Sequence, residues 1–153
     1  MKTIILAAGE GTRLRPYTLD RPKCLVEIDG ISLIDRQISV LRSNSNSPIT
    51  IVGGYHAEML INKGDNLIIN PKFQNTNMVW SLFCAENELQ GDVLVSYGDI
   101  VYSKKILKAI LASDSDISVA IDLNWEKYWK MRNEEPINDV ETLKMDSNGS
   151  IIE

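Results

Sequence analysis

The run Ile4-Ile5-Leu6-Ala7-Ala8 is apolar throughout and gives way in one step to a bend rich in glycine and cations. No other junction constrains the chain as strongly. An uninterrupted apolar run of this length predicts a strand buried on both faces, as at the centre of a parallel sheet. Gly9 and Gly11 then free the backbone to turn tightly and to approach a ligand. Arg13, Arg15, Arg21 and Lys23 follow, with only Glu10 and Asp20 against them. Successive N–H groups in such a bend line a concave anion site, and neighbouring cations add directed charge. The expected ligand is a phosphate; the plainer alternative is a bend flanked by surface arginines. A dinucleotide fingerprint is excluded because Leu14 stands where its third glycine would be, and no glycine is followed by the Lys-Ser or Lys-Thr step of a P-loop.

Charge distribution narrows the class of ligand. Up to Lys23 there are 5 cations and 2 anions, or +3, so a formal net charge of −5 over 153 residues leaves −8 for the remainder. A local basic bend on an acidic body suits a small polyanion such as a nucleoside triphosphate, and it argues against nucleic acid as a partner. The length suits one hydrophobic unit. Cys24 and Cys84 have no metal or redox spacing and are expected to be reduced thiols. No apolar run approaches the ~20 residues of a membrane span, and the first strand begins too early to leave room for a leader, so the expectation is a soluble, cytoplasmic protein with no membrane partner.

The run LAAGEGTRLRPYT followed by RPKCL resembles the signature L-A-A-G-x-G-T-R-L-x-P-x-T…P-K of sugar-phosphate nucleotidyltransferases and their cytidylyltransferase relatives. The resemblance implies an α/β, three-layer Rossmann-like nucleotidyltransferase fold with a largely parallel central sheet, as does the alternation of strands and helices. It further implies transfer of a nucleotidyl group, CMP favoured, from a triphosphate to a phosphorylated small molecule with Mg²⁺ as cofactor. On that resemblance Arg13 neutralises the leaving pyrophosphate and Lys23 bridges the α-phosphate and the acceptor. Leu6, Ala7, Ala8, Gly9, Gly11 and Thr12 line the nucleotide. Residues 1–153 are expected to form the nucleotide-binding portion of such a domain, incomplete at the carboxyl end.

Further along, Ser32 is expected to cap a helix over Leu33 to Arg42 with Leu33, Ile34, Ile38 and Leu41 on one face. Ile49 to Val52 reads as a second buried strand, whose exit at Gly54 would lie where parallel sheets bind ligands. A short helix is expected over His56 to Lys63 with Met59 and Leu60 inward, then a strand over Asn66 to Asn70. The lone histidine, His56, is read as a helix-start or surface residue. Asn75, Asn77 and Ser81 surround the start of the next helix, where Met78, Leu82, Ala85 and Leu89 should face the sheet. Amides and a hydroxyl there could read the edge of a base, or Asn77 could simply cap the helix. The Asn-rich loop before a Ser-Leu helix resembles the cytidylyltransferase branch, which favours CTP.

Asp92 to Tyr97 reads as a strand delivering Asp99 in a V-x-x-G-D step that resembles the family's metal site, with a simple turn as the alternative. A helix over Ser103 to Ala112 should bury Ile106, Leu107, Ile110 and Leu111. A strand is expected over Ile117 to Leu123, followed by a helix on which Trp125 and Trp129 share a face. Core packing explains such a pair; so would a cage for a cationic acceptor, with Asp122 as counter-charge. The segment containing Asp122, Trp125, Trp129, Arg132, Asp139 and Glu141 resembles the acceptor side of phosphocholine-type enzymes. Val140 to Met145 and Ser150 to Glu153 read as two strands of a final hairpin that turns at Asp146 to Gly149. Two alternatives stay open: a sugar-1-phosphate nucleotidyltransferase, and an inactive nucleotide-binding module.

Overall fold

The alternation of apolar residues along the strands decides how the layers form. A computed structural model describes residues 1–131 and 143–152. Strand β1 (Lys2–Ala7) is followed by a small antiparallel pair, β2 (Glu27–Ile28) and β3 (Ile31–Ser32), and by helix α1 (Leu33–Arg42). Then come β4 (Ile49–Gly53), β5 (Asn66–Ile69), α2 (Met78–Cys84), β6 (Val93–Tyr97), α3 (Lys104–Leu111) and α4 (Trp125–Lys130). Strands β5, β4, β1 and β6 form, in that order, a four-stranded parallel sheet. Ile5, Ile49 and Ile51 point to one face, against Ile34 and Leu41 of α1 and Leu107 of α3. Ile4, Leu6 and Val52 point to the other, against Leu82 and Ala85 at the end of α2. The result is the expected three-layer α/β architecture.

The chain moves outward from β1 to β4 and β5, then returns through α2 to place β6 on the far side of β1. Right-handed crossovers in opposite directions put their helices on opposite faces. The reversal leaves a crevice at the carboxyl ends of the strands beside β1, where open parallel sheets take ligands.

The cap at Ser32 is present: its Oγ accepts from the Asp35 N–H at 3.1 Å. Several expectations are corrected. The helix over His56 to Lys63 shrinks to a 3-10 turn, Ala57–Leu60, because His56 and Asn62 adopt φ of 45° and 68°, which no right-handed helix passes through. Leu60 is buried, whereas Met59 is exposed. Met78 and Ile106 are also exposed, because α2 and α3 are short and meet the sheet through Leu82, Ala85 and Leu107. Ile117 to Leu123 forms no strand, and Ile117, Val119, Ile121 and Leu123 are exposed. An alternating pattern without a partner strand to satisfy its backbone does not make a strand.

The chain falls into two compact units, Met1–Ser113 and Asp114–Glu153, and both hydrophobic clusters belong to the first. In the second, α4 carries an exposed Lys130–Glu126 ion pair, and Met145 and Ile151 form an antiparallel bridge closed by the turn at Asp146 to Gly149. Arg132, Asp139 and Glu141, together with Val140 at the start of the expected hairpin, lie outside the described residues.

Candidate active site

The carboxyl ends of β1, β4 and β6 meet through backbone contacts that leave no room for side chains. The Gly98 N–H donates to the Leu6 carbonyl at 2.8 Å, and the Tyr55 N–H donates to the Ala8 carbonyl at 3.0 Å. A Cβ on Gly54 would stand 2.6 Å from the Ala8 oxygen and from Phe73 Cβ, and one on Gly98 would stand 2.9 Å from Ala7 Cβ. Glycine at these positions is therefore a packing requirement. Leu6, Ala7, Ala8, Gly54 and Asp99 accordingly belong to one rim.

The glycine bend folds over this rim. Gly11 takes a φ of 65°, and a Cβ there would meet Lys23 Cβ at 2.8 Å. Thr18, fully buried, donates its hydroxyl to the Gly11 carbonyl at 2.9 Å, and Tyr55 donates its own to the Leu19 carbonyl at 2.8 Å. Thr12, Arg13 and Leu14 form a 3-10 turn immediately after Gly11. The bend thus has a fixed shape, tied from inside by a threonine and from the segment after β4 by a tyrosine.

Its charges are largely matched. Arg15 pairs with Glu10 at 3.1 Å and Arg21 with Asp20 at 2.9 Å, both at the surface. Lys23 pairs with Asp99, 76 residues away in sequence. The two side chains are 32% and 33% exposed, so the pair is reachable from solvent. This contact brings the motif and the V-x-x-G-D step together at the strand ends. Beside Lys23, burial pushes the Cys24 thiol up to about 12, which keeps it protonated and unreactive.

Residues 3–136 match the family of MobA-like NTP transferase domains. The chain belongs to that family. The chain is 41% identical over its whole length to a CTP:phosphoglutamine cytidylyltransferase of Campylobacter jejuni, of which it spans 64%. Among solved structures, CTP:phosphocholine cytidylyltransferase from Streptococcus pneumoniae matches 64% of the chain at 38% identity and a TM-score of 0.60, with 44% of that protein covered. The inositol-1-phosphate CTP transferase from T. maritima matches 75% at 25% identity and a TM-score of 0.63, with 49% covered. The chain spans about half to two thirds of the length of these relatives.

Several other expected site residues are engaged within their own segments. Asn77 caps α2, its Oδ1 accepting from the Trp80 N–H at 3.0 Å. Ser81 is buried, and its hydroxyl accepts from Asn70 Nδ2 at 3.0 Å. Asn70 also donates to Thr76 Oγ1 at 3.0 Å and accepts from the Lys72 N–H at 2.9 Å. Asp122 and Trp125 lie in the second unit, where Asp122 accepts from the Asn124 N–H at 2.8 Å.

Thr18 and Asn70 organise their loops without having been singled out from sequence. The threonine of the P-x-T step was a readable signal, whereas Asn70 gave none. Among the described residues no group of three or more His, Cys, Asp or Glu side chains could hold a metal ion. A lone half-exposed carboxylate fits a hard divalent cation whose other positions are filled by phosphate oxygens and water, and it does not fit a closed thiolate or imidazole cage. No helix among the described residues is long and apolar enough to cross a membrane.

Proposed function

We propose that the whole protein transfers CMP from CTP to a phosphorylated small molecule. A phosphate oxygen of the acceptor attacks the α-phosphorus, the bond from that phosphorus to the bridging oxygen breaks, and pyrophosphate leaves. The Lys23–Asp99 pair at the glycine bend carries the reading, because it brings a cation and a carboxylate to the strand ends where a triphosphate would lie. Positioning and charge neutralisation are what such chemistry requires of a protein.

In this reading Lys23 turns from Asp99 to the α-phosphate and acceptor, and Arg13 neutralises the departing pyrophosphate. Backbone groups from Leu6 to Thr12 hold the nucleotide. Asp99 would hold Mg²⁺, which when bound supplies positive charge to the phosphate oxygens. Asn77 and Ser81 form the base side: no described residue is bonded to Asn77 Nδ2, which can donate to the O2 or N3 acceptors of cytosine, while Ser81 fixes the loop through Asn70. Asp122 and Trp125 would contact the acceptor. The expected location is the cytoplasm, where the triphosphate pool lies.

The relative that aligns with the entire chain takes phosphoglutamine by name, whereas the phosphocholine enzyme aligns with 64% of it. Phosphoglutamine is therefore the first acceptor to test, with phosphocholine second. Pyrophosphate release by the whole protein, measured with CTP, UTP, GTP and dTTP against these two compounds, a phosphonate and hexose 1-phosphates, checks the proposal. Preference for CTP with a non-sugar acceptor is the expected result. A hexose 1-phosphate preference would make it a sugar nucleotidyltransferase, and binding of Mg²⁺·CTP without turnover would make it an inactive module.

A further inference from the structure

Helix α1 carries a polar residue in the middle of its apolar stripe. Leu33, Ile34, Ile38 and Leu41 define that stripe, and Gln37 falls on it by spacing, at 1% exposure. A buried amide is costly unless its hydrogen bonds are made. Gln37 makes its donor bonds, both to main-chain carbonyls. Its Nε2 donates to the Tyr97 carbonyl at 2.9 Å and to the Ile100 carbonyl at 3.0 Å, while its Oε1 has no hydrogen-bond partner among the described residues.

These two carbonyls flank the Gly98-Asp99 step. Both donor hydrogens of one planar amide therefore clamp the chain on either side of Asp99. From the opposite direction, Gly98 is held by the Leu6 carbonyl at 2.8 Å and crowded by Ala7 and Cys24. The peptide plane that sets where the Asp99 carboxylate points is thus fixed from helix and sheet together, leaving the carboxylate to face Lys23. An apolar side chain would fill the same space while leaving two carbonyls and the turn unheld.

We propose that Gln37 is a positioning residue that sets the direction of the Asp99 carboxylate for its cation. The proposal rests on the reading of Asp99 as a metal ligand. Mn²⁺ binding to the whole protein in the presence of CTP, followed by the EPR signal of free Mn²⁺, tests it without turnover. Gln37→Met, similar in length but without donors, is expected to weaken Mn²⁺ binding about 10- to 100-fold while CTP affinity without metal changes less than about threefold. Gln37→Glu, which sets a carboxylate against two carbonyls, should be at least as weak. A Gln37→Met protein that melts earlier yet keeps its Mn²⁺ affinity within about threefold would show a merely structural role and overturn the proposal.

Should both variants fail to fold, the unmutated protein decides. By NMR the Gln37 Nε2 protons are expected to exchange slowly with solvent and to shift when Mg²⁺ and CTP arrive together; rapid exchange or no shift overturns the proposal. Asp99→Asn separates this inference from the functional reading. Unchanged Mn²⁺ affinity there would sink the metal site and the role of Gln37 with it. Loss of Mn²⁺ in both Asp99→Asn and Gln37→Met, with no pyrophosphate released by the unmutated protein, would sink the transferase and leave the positioning role standing.

Discussion

The glycine bend and the Asn70–Ser81 segment are both polar stretches, and they differ in what their polar groups do. In the bend, side chains reach across the sheet: Lys23 meets Asp99 over 76 residues of sequence, at a third exposure. In the Asn70–Ser81 segment they are turned inward on one another, with Asn70 bonded to Thr76, Ser81 and the Lys72 backbone, and Asn77 bonded to the first turn of α2. A polar group whose bonding capacity is used locally stabilises the fold. One whose partner is a solvent-reachable charge can exchange that partner for a ligand.

Substitutions should separate the two regions in kind. Lys23→Ala or Arg13→Ala in the whole protein should lower CTP turnover by about 10²- to 10³-fold or more, with little change in melting temperature. A change below about threefold in steady-state kinetics would break the comparison on the side of the bend. Asn70→Ala should act the other way, costing about 1–3 kcal/mol in chemical denaturation because it removes a fully buried amide that ties the buried Ser81 hydroxyl to Thr76 and the Lys72 backbone. If Asn70→Ala unfolds no earlier but raises KM for CTP tenfold or so, that segment belongs to the ligand after all. Asn77→Ala, which removes a helix cap, should cost about 1 kcal/mol, and a loss of preference for CTP over UTP would add the base-side role proposed for its Nδ2.

The smallest effect calibrates an ordinary surface tie. Arg42 holds Asp65, which also accepts from the Ile49 N–H, and the Arg42 hydrogen bonds foremost keep the Asp65 carboxyl below its ordinary value of 3.8. A depressed carboxylate contributes stability that is complete above the unfolded value and fades as pH falls through the lower folded one. Arg42→Met should therefore cost no more than about 1 kcal/mol at pH 7, since the pair is well solvated. Thermal melts should show that gap closing as pH falls below 3.8.

Much of the fold was readable because burial imposes periodicity. Strands β1, β4 and β6 are apolar runs, and α1 shows both its stripe and its cap at Ser32. The pattern misled where no partner was available, as at Ile117 to Leu123, and where positive φ at His56 and Asn62 cut a helix to one turn. Motif resemblance assigns Lys23 to the phosphates and Asp99 to the cation, but their direct pairing is not legible, since nothing local to either residue declares the other. Gln37 is not legible from the stripe, which is defined by its apolar members. A polar residue that falls in register with them carries more information, since only a specific acceptor makes it tolerable there. Asn70 sat in a polar loop where every neighbour could equally have been the buried one.

One consequence of the Lys23–Asp99 contact concerns the order of events at the strand ends. On the proposed roles of the two residues, a dication arriving alone would strand an ammonium, and an anion arriving alone would strand a carboxylate. Arriving together they would swap partners and leave neither charge bare. Each ligand should then tighten the other by an equal factor, as reciprocity demands, so the empty protein shelters its own charges until both halves of the load are in hand.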